Sequence, residues 1–248
     1  MPPGRQLGSS DGDASVPSAG RPHQGEAFGT GLGLPAALNF RDLGGLATRR
    51  GRSLLRRRFY RSGSPAHLGP AEAQAFDALG LSTVIDLRTS IERAEYGTAV
   101  GTKARNLHLP LFEVVRPNWV APDDQSPDAT ASRYFEMLSD GTATLVNIVE
   151  QLATAQVAPF LIHCAAGRDR TGIVVACLLD LLDIVDESII KDYALSEGVV
   201  DDSGRAHAAT MSAFLALVRQ HHGSTLELLL AQGVSAETCA RVSRYLLT

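Results

Sequence analysis

A chain of 248 residues suits one ample domain with extensions and can bury a sizeable core. Hydrophobic residues at 44% and charged residues at 20% are ordinary globular composition, and a net charge of −4 supplies no global basic field to attract nucleic acid. Three cysteines are a sparse, odd set that argues against a disulfide framework and fits a reducing compartment, so a cytoplasmic location is expected.

No run approaches the roughly 20 apolar residues of a membrane helix, and the N-terminus lacks the apolar segment of a secretory signal. Residues 1–36 are dominated by Gly, Pro, Ser and Ala and read as a disordered tail, because they cannot bury enough surface to offset chain entropy. The folded domain is expected over 37–248.

The stretch 54–60 predicts a strand, although it is rich in arginine. A helix is predicted over 70–79, opened by Pro70, filled by Ala and Glu, and closed by Gly80. The run Thr-Val-Ile-Asp-Leu at 83–87 predicts a buried strand, and 104–109 another. Residues 112–128 carry Pro, Asp and the one Trp and read as a long loop, uncommon in a compact domain unless it serves a function. Leu145, Ile148, Val149 and Leu152 have helical spacing. Pro-Phe-Leu-Ile-His at 159–163 is a compact apolar strand, and 171–182 is apolar all round, hence a central buried helix. Further helices are predicted over 186–197, 205–220, 224–231 and 235–247. Strands alternating with helices indicate an α/β fold: a central, mainly parallel sheet flanked by helices, with a helical C-terminal third.

The chemistry concentrates in His163-Cys164-Ala165-Ala166-Gly167-Arg168-Asp169-Arg170-Thr171-Gly172. This segment joins a buried strand to a buried helix, where α/β folds place ligand sites. A helix N-terminus offers unpaired N–H groups and partial positive charge, which favour a thiolate at Cys164. The residues between Cys164 and Arg170 can curl so that the amides of Ala165, Ala166, Gly167 and Arg168 cradle a phosphate. Gly167 allows backbone conformations that a Cβ would obstruct. Arg170 supplies a planar fork for two phosphate oxygens, which lysine could not match. Thr171 can donate its hydroxyl to the Cys164 sulfur, and His163 can orient the loop through hydrogen bonds. Six specified positions at this spacing arise by chance with odds on the order of one in a hundred thousand, which favours a nucleophile over an inert buried thiol.

This loop resembles the signature of the protein tyrosine phosphatase superfamily. Asn39-Phe40-Arg41-Asp42-Leu43-Gly44-Gly45, Tyr60-Arg61-Ser62, Ile85-Asp86-Leu87-Arg88 with Glu92, and Asp192-Tyr193 with Ser196 narrow the resemblance to the atypical bacterial tyrosine phosphatases. It implies a phosphatase fold and hydrolysis of phosphotyrosine, with phosphoserine/threonine and phosphoinositides as further substrate classes. The expected route is a cysteinyl-phosphate intermediate, with no metal and no cofactor. The partner is then a phosphorylated protein or peptide. The family's best-known loop has Lys where Arg168 stands, and that Lys is associated with lipid substrates. No Trp-Pro-Asp acid loop is present.

The resemblance points to Asp169 as the general acid, while Asp at a helix start also serves as a cap or as a partner for Arg168. Asp86 is the next candidate, or else it holds Arg170, Arg88 or Arg61 in place. Glu113, Asp123 and Asp124 follow. Arg61 is expected behind the loop rather than in it. Seven arginines between Arg49 and Arg61 read as a solvated hairpin, or else as a docking face for acidic peptides or anionic lipids. Cys177 reads as core, and His221-His222 as caps near a helix end. A rhodanese or arsenate reductase would also use Cys in an anion loop, but His163 before Cys164 and Arg170-Thr171-Gly172 disfavour both. A phosphate-binding module without turnover would normally lack Cys164 or Arg170.

Overall fold

The computed structural model describes residues 34, 39–98, 103–120, 123–154, 159–197 and 207–248. The stretch read as a tail, 1–36, lies outside them except for Leu34, which is buried in one cluster with Phe40 and Tyr60. Five strands form one sheet: β1 (Arg41–Asp42), β2 (Phe59–Ser62), β3 (Thr83–Asp86), β4 (Arg105–His108) and β5 (Phe160–His163). Their order is β1-β2-β5-β3-β4, with only β1 antiparallel to its neighbour. The helices are α1 (Pro70–Asp77), α2 (Ser90–Tyr96), α3 (Pro117–Val120), α4 (Pro127–Asp140), α5 (Thr142–Thr154), α6 (Asp169–Leu181), α7 (Asp186–Ala194), α8 (Ala208–His222), α9 (Thr225–Ala231) and α10 (Ala236–Leu246). This is the α/β architecture that the alternation of strands and helices predicts.

Alternation along the strands splits the core into two layers. Phe59, Ile85, Phe160 and Ile162 join the large cluster under α4 to α10. Tyr60, Val84 and Leu161 face the other way, onto Phe76 of α1 and Leu79. Being covered on both faces, β2 and β5 are buried throughout; β5 is correspondingly apolar up to His163, whereas β2 also buries Arg61 and Ser62. Helix α6 is buried at every residue from Thr171 to Leu179, as its all-round apolarity predicts. The register sets the site: His163 stands level with Ser62 on one side and Asp86 on the other. Cys164 therefore leaves the sheet between the C-terminal ends of β2 and β3.

Two expectations need correction. The strand expected at 54–60 runs from Phe59 to Ser62. The preceding Arg56-Arg57-Arg58 are exposed and lie outside the sheet, and Arg57 turns the chain with φ +58°. The stretch 112–128 is also not all loop. It contains α3, and α4 begins at Pro127 and runs 14 residues. The Ser126 side chain caps the Ala129 N–H, and Pro127 occupies the first turn, where its missing N–H costs nothing. Thr130, Ala131, Tyr134, Met137 and Leu138 form its buried stripe. Among the described residues no helix is long and apolar enough to cross a membrane.

Ile162 is fully buried at the centre of β5. Ile162→Ala should therefore cost about 2–5 kcal/mol in urea unfolding, against less than about 0.5 kcal/mol for a change at the exposed Lys103.

Candidate active site

The segment from Cys164 to Asp169 forms a loop that closes onto the first turn of α6. Cys164 is only 2% exposed, and its sulfur accepts the Gly167 N–H at 3.3 Å. Gly167 has φ +71°, and a Cβ there would sit 2.4 Å from the backbone carbon and oxygen of Ser62. Glycine is needed at this position on both counts.

The loop carbonyls are fixed from outside. Ser64 N–H donates to Ala165 O at 2.8 Å. Arg61 Nη2 and Asn39 Nδ2 donate to Gly167 O at 2.8 and 3.1 Å. His163 Nδ1 lies 3.1 Å from Cys164 O. A carbonyl can only accept, so Nδ1 carries the ring proton. Burial holds His163 below its ordinary pKa despite the nearby Asp86, which favours the neutral ring.

Arg61 and Arg41 would be two buried like charges without Asp192. Asp192 accepts from Arg61 Nη1 at 2.5 Å and from Arg41 Nε at 2.6 Å. Burial alone would raise the Asp192 pKa, but the two guanidinium groups outweigh it and hold the carboxyl below its usual range. Arg41 is brought down to about 10, by burial first and then by Arg61. Arg41 also donates to Asn39 Oδ1 and Ser196 Oγ. The Asn-Phe-Arg, Tyr-Arg-Ser and Asp-Tyr segments thus meet in one buried network behind the loop.

Arg170 donates from both Nη atoms to Glu92, at 2.5 and 2.7 Å. Burial works against the Arg170 charge, but Glu92, Cys164 and Asp169 more than compensate and hold its pKa above the usual arginine value. Glu92 in turn accepts Thr89 N–H at 2.8 Å in the capping box of α2. The motif contained Glu92 without assigning it this task. Thr89-x-x-Glu92 ahead of a helix was the available signal.

Asp86 chelates Arg88, accepting from Nε at 2.9 Å and Nη2 at 2.7 Å. Of the three arginines open to it, the structure pairs it with Arg88 alone. Thr171 is fully buried and its hydroxyl finds no hydrogen-bond partner. Among the described residues the expected donation to Cys164 is not made; the sulfur accepts the Gly167 N–H. Arg168 lies buried with its guanidinium 3.2–3.3 Å from the Asp169 carboxylate. Asp169, about one-third exposed, also accepts the Tyr134 hydroxyl, a contact that sequence reasoning missed together with α4.

Glu113 accepts from Ser90, and Asp124 from the Ser126 N–H. His221 and His222, in the last turn of α8, pack tilted against Phe135, at 4.7 and 5.8 Å between ring centroids. Cys177 lies in the core, its thiol pushed up to about 12 by burial and Asp180.

A cleft of about 510 Å³ opens beside the first turn of α6. Asp169 and Arg170 line it, together with Tyr134 and Met137 of α4 and with Phe112 and Trp119. A buried thiol with the Gly167 N–H on its sulfur, and a guanidinium fork that lines the neighbouring cleft, are groups that can bind a phosphate monoester and attack it.

Residues 32–248 match the profile of the tyrosine phosphatase family. The chain belongs to that family. A provisionally named tyrosine-protein phosphatase of Cupriavidus necator is 34% identical over 173 residues, which cover 65% of this chain and 61% of that protein. The triple specificity protein phosphatase PtpB of Mycobacterium tuberculosis is 30% identical over 199 residues, covering 67% of this chain and 69% of the relative. The core catalytic domain of the PP-IP phosphatase SIW14 from S. cerevisiae aligns with a TM-score of 0.39 and 14% identity, over 76% of this chain and 94% of that one. The chain thus spans less than two thirds of the Cupriavidus protein.

The Arg41–Asp192–Arg61 network generates a stability prediction. A carboxyl whose folded pKa is depressed adds stability that is complete above its unfolded value, about 4, and is lost as pH falls through the folded value. Asp192→Asn should cost about 3–5 kcal/mol at pH 7. Denaturant titrations stepped downward from pH 5 should also show a shallower acid loss in the variant than in the wild type.

Proposed function

We propose that this chain is a phosphatase that hydrolyses phosphotyrosine through a cysteinyl-phosphate intermediate. The observation that carries this reading is the buried Cys164 thiol at the base of a loop whose Gly167 N–H already points at the sulfur. Cys164 attacks phosphorus. The amides of Ala165, Ala166, Gly167 and Arg168 and the Arg170 fork hold the equatorial oxygens, where charge develops. Thr171 offers a buried hydroxyl still without a partner, available to the sulfur or to a phosphate oxygen. Asp169, which lines the cleft, protonates the leaving oxygen. Water then hydrolyses the phosphocysteine. His163, Asp86 and Arg61 act from behind: His163 and Arg61 on loop carbonyls, Asp86 on Arg88. Neither metal nor cofactor has a step in this scheme.

The depth of the thiol favours an aryl ester. A phosphate on a phenol ring stands farther from the peptide backbone than one on serine, and the aromatic cleft walls offer the ring a place to pack. The triple specificity in the name of the Mycobacterium relative supports more than one substrate class, and phosphoserine/threonine is the next class proposed here. Phosphoinositides are the remaining class, and Arg168→Lys assayed on them tests whether the residue at this position governs lipid turnover. A reducing cytoplasmic setting accords with this chemistry, because the thiol must stay reduced.

Cys164→Ser should lose turnover of a phosphotyrosine peptide by a factor on the order of 10⁴ or more, while still binding it. Denaturing quench with radiolabelled substrate should trap phosphate on the wild-type protein and none on the variant. Full turnover by Cys164→Ser would end the proposal. Asp169→Asn should lose about 10²–10⁴-fold on phosphotyrosine but far less on an activated aryl phosphate, whose leaving group needs little protonation.

A further inference from the structure

Helix α4 brings one more side chain against the phosphate loop. Tyr134 is buried, and its hydroxyl donates to Asp169 Oδ1. A phenol has one proton, so the Tyr134 oxygen accepts the Tyr193 hydroxyl at 2.9 Å. The hydrogen bonds therefore run in one direction, from Tyr193 through Tyr134 to Asp169. Burial first, then Asp169 and Tyr193, push the Tyr134 phenol well above its ordinary pKa, so it remains a donor at working pH. Both rings are fixed by packing. Tyr134 meets Tyr193 and Phe214 edge-on at 6.1 and 6.3 Å, and Tyr193 underlies Gly172, where a Cβ would come within 3.0 Å of its ring.

Arg168 reaches both Asp169 oxygens, Nε at 3.2 Å from Oδ1 and 3.3 Å from Oδ2 and Nη2 at 3.3 Å from Oδ2, so the Tyr134 hydroxyl on Oδ1 is what makes the two inequivalent. A neutral carboxylic acid carries its proton on one oxygen only. With Oδ1 engaged as the acceptor for Tyr134, that proton belongs on Oδ2. We propose that Tyr134 is a positioning residue that holds Oδ1 of Asp169 so that Oδ2 delivers the proton to the leaving oxygen. The inference rests on the reading of Asp169 as the general acid.

In the first step the S–P bond forms and the P–O ester bond breaks. The Oδ2 proton passes to the leaving oxygen, and Asp169 becomes a carboxylate. The Tyr134 bond is then charge-assisted and strengthens as the proton departs. In the second step water attacks phosphorus and the S–P electron pair returns to sulfur. The proton of the attacking water goes to Oδ2. Tyr134 keeps its own proton throughout.

The test compares wild type, Tyr134→Phe, Asp169→Asn and the double variant on aryl phosphates graded from activated to unactivated leaving groups. Tyr134→Phe should lower kcat about 10-fold on unactivated esters and less than about 2-fold on activated ones, with KM unchanged. The double variant should lose no more than Asp169→Asn alone. An equal Tyr134→Phe loss across the series, or a loss that multiplies with that of Asp169→Asn, overturns the positioning role while leaving the acid in place. An Asp169→Asn loss that is equal across the series overturns the acid and the Tyr134 role with it. Tyr193→Phe leaves Tyr134 itself intact and should repeat the leaving-group pattern at smaller amplitude. A flat pattern there counts against the directed chain.

Discussion

A loop whose amides point inward must send its carbonyls outward, and each buried carbonyl needs a donor. This constraint organises everything behind Cys164. Ser64 meets Ala165 O, His163 meets Cys164 O, and Arg61 with Asn39 meets Gly167 O. Satisfying Gly167 O with a fully buried arginine creates a second problem, an uncompensated charge. Asp192 answers it, and Arg41 balances the remaining lone pairs of Asp192 while orienting Asn39. The network is long because each solution buries another polar group.

The same constraint explains which parts of the site were legible in the sequence. The loop spacing, β3, β5 and the apolar α6 follow from local pattern and register alone. Glu92 was visible as a motif member, but its bidentate hold on Arg170 depends on where α2 sits relative to α6, which spacing cannot reveal. Thr171 shows the reverse failure. Its hydroxyl is chemically suited to the sulfur, yet among the described residues it makes no hydrogen bond, while the Gly167 N–H reaches the sulfur.

The largest omission was α4, and it removed Tyr134 from view. Pro127, Asp128 and the polar residues before them read as loop, yet Pro and Asp are also what a helix N-terminus favours. The decisive signal was the stripe Ala131, Tyr134, Leu138, interrupted by enough Ser, Arg and Glu to look irregular. Its partner face is α8, distant in sequence. Tertiary packing, not propensity, makes this segment a helix.

Placing Glu92 beside an anion site looks counterproductive, because a carboxylate competes with phosphate for Arg170. The geometry of guanidinium removes the conflict. Glu92 takes one N–H from each Nη atom, and the remaining N–H groups, including that on Nε, stay available to a second anion. Glu92 therefore fixes the plane of the fork. It also offsets the cost of keeping the Arg170 charge buried before substrate arrives. The Phe112 ring, 5.5 Å from the guanidinium carbon, limits motion out of that plane. A lysine could serve either anion but could not be oriented by one while holding the other. The carboxylate behind the arginine and the phosphate loop before it are thus parts of one arrangement, in which the clamp is set before it is used.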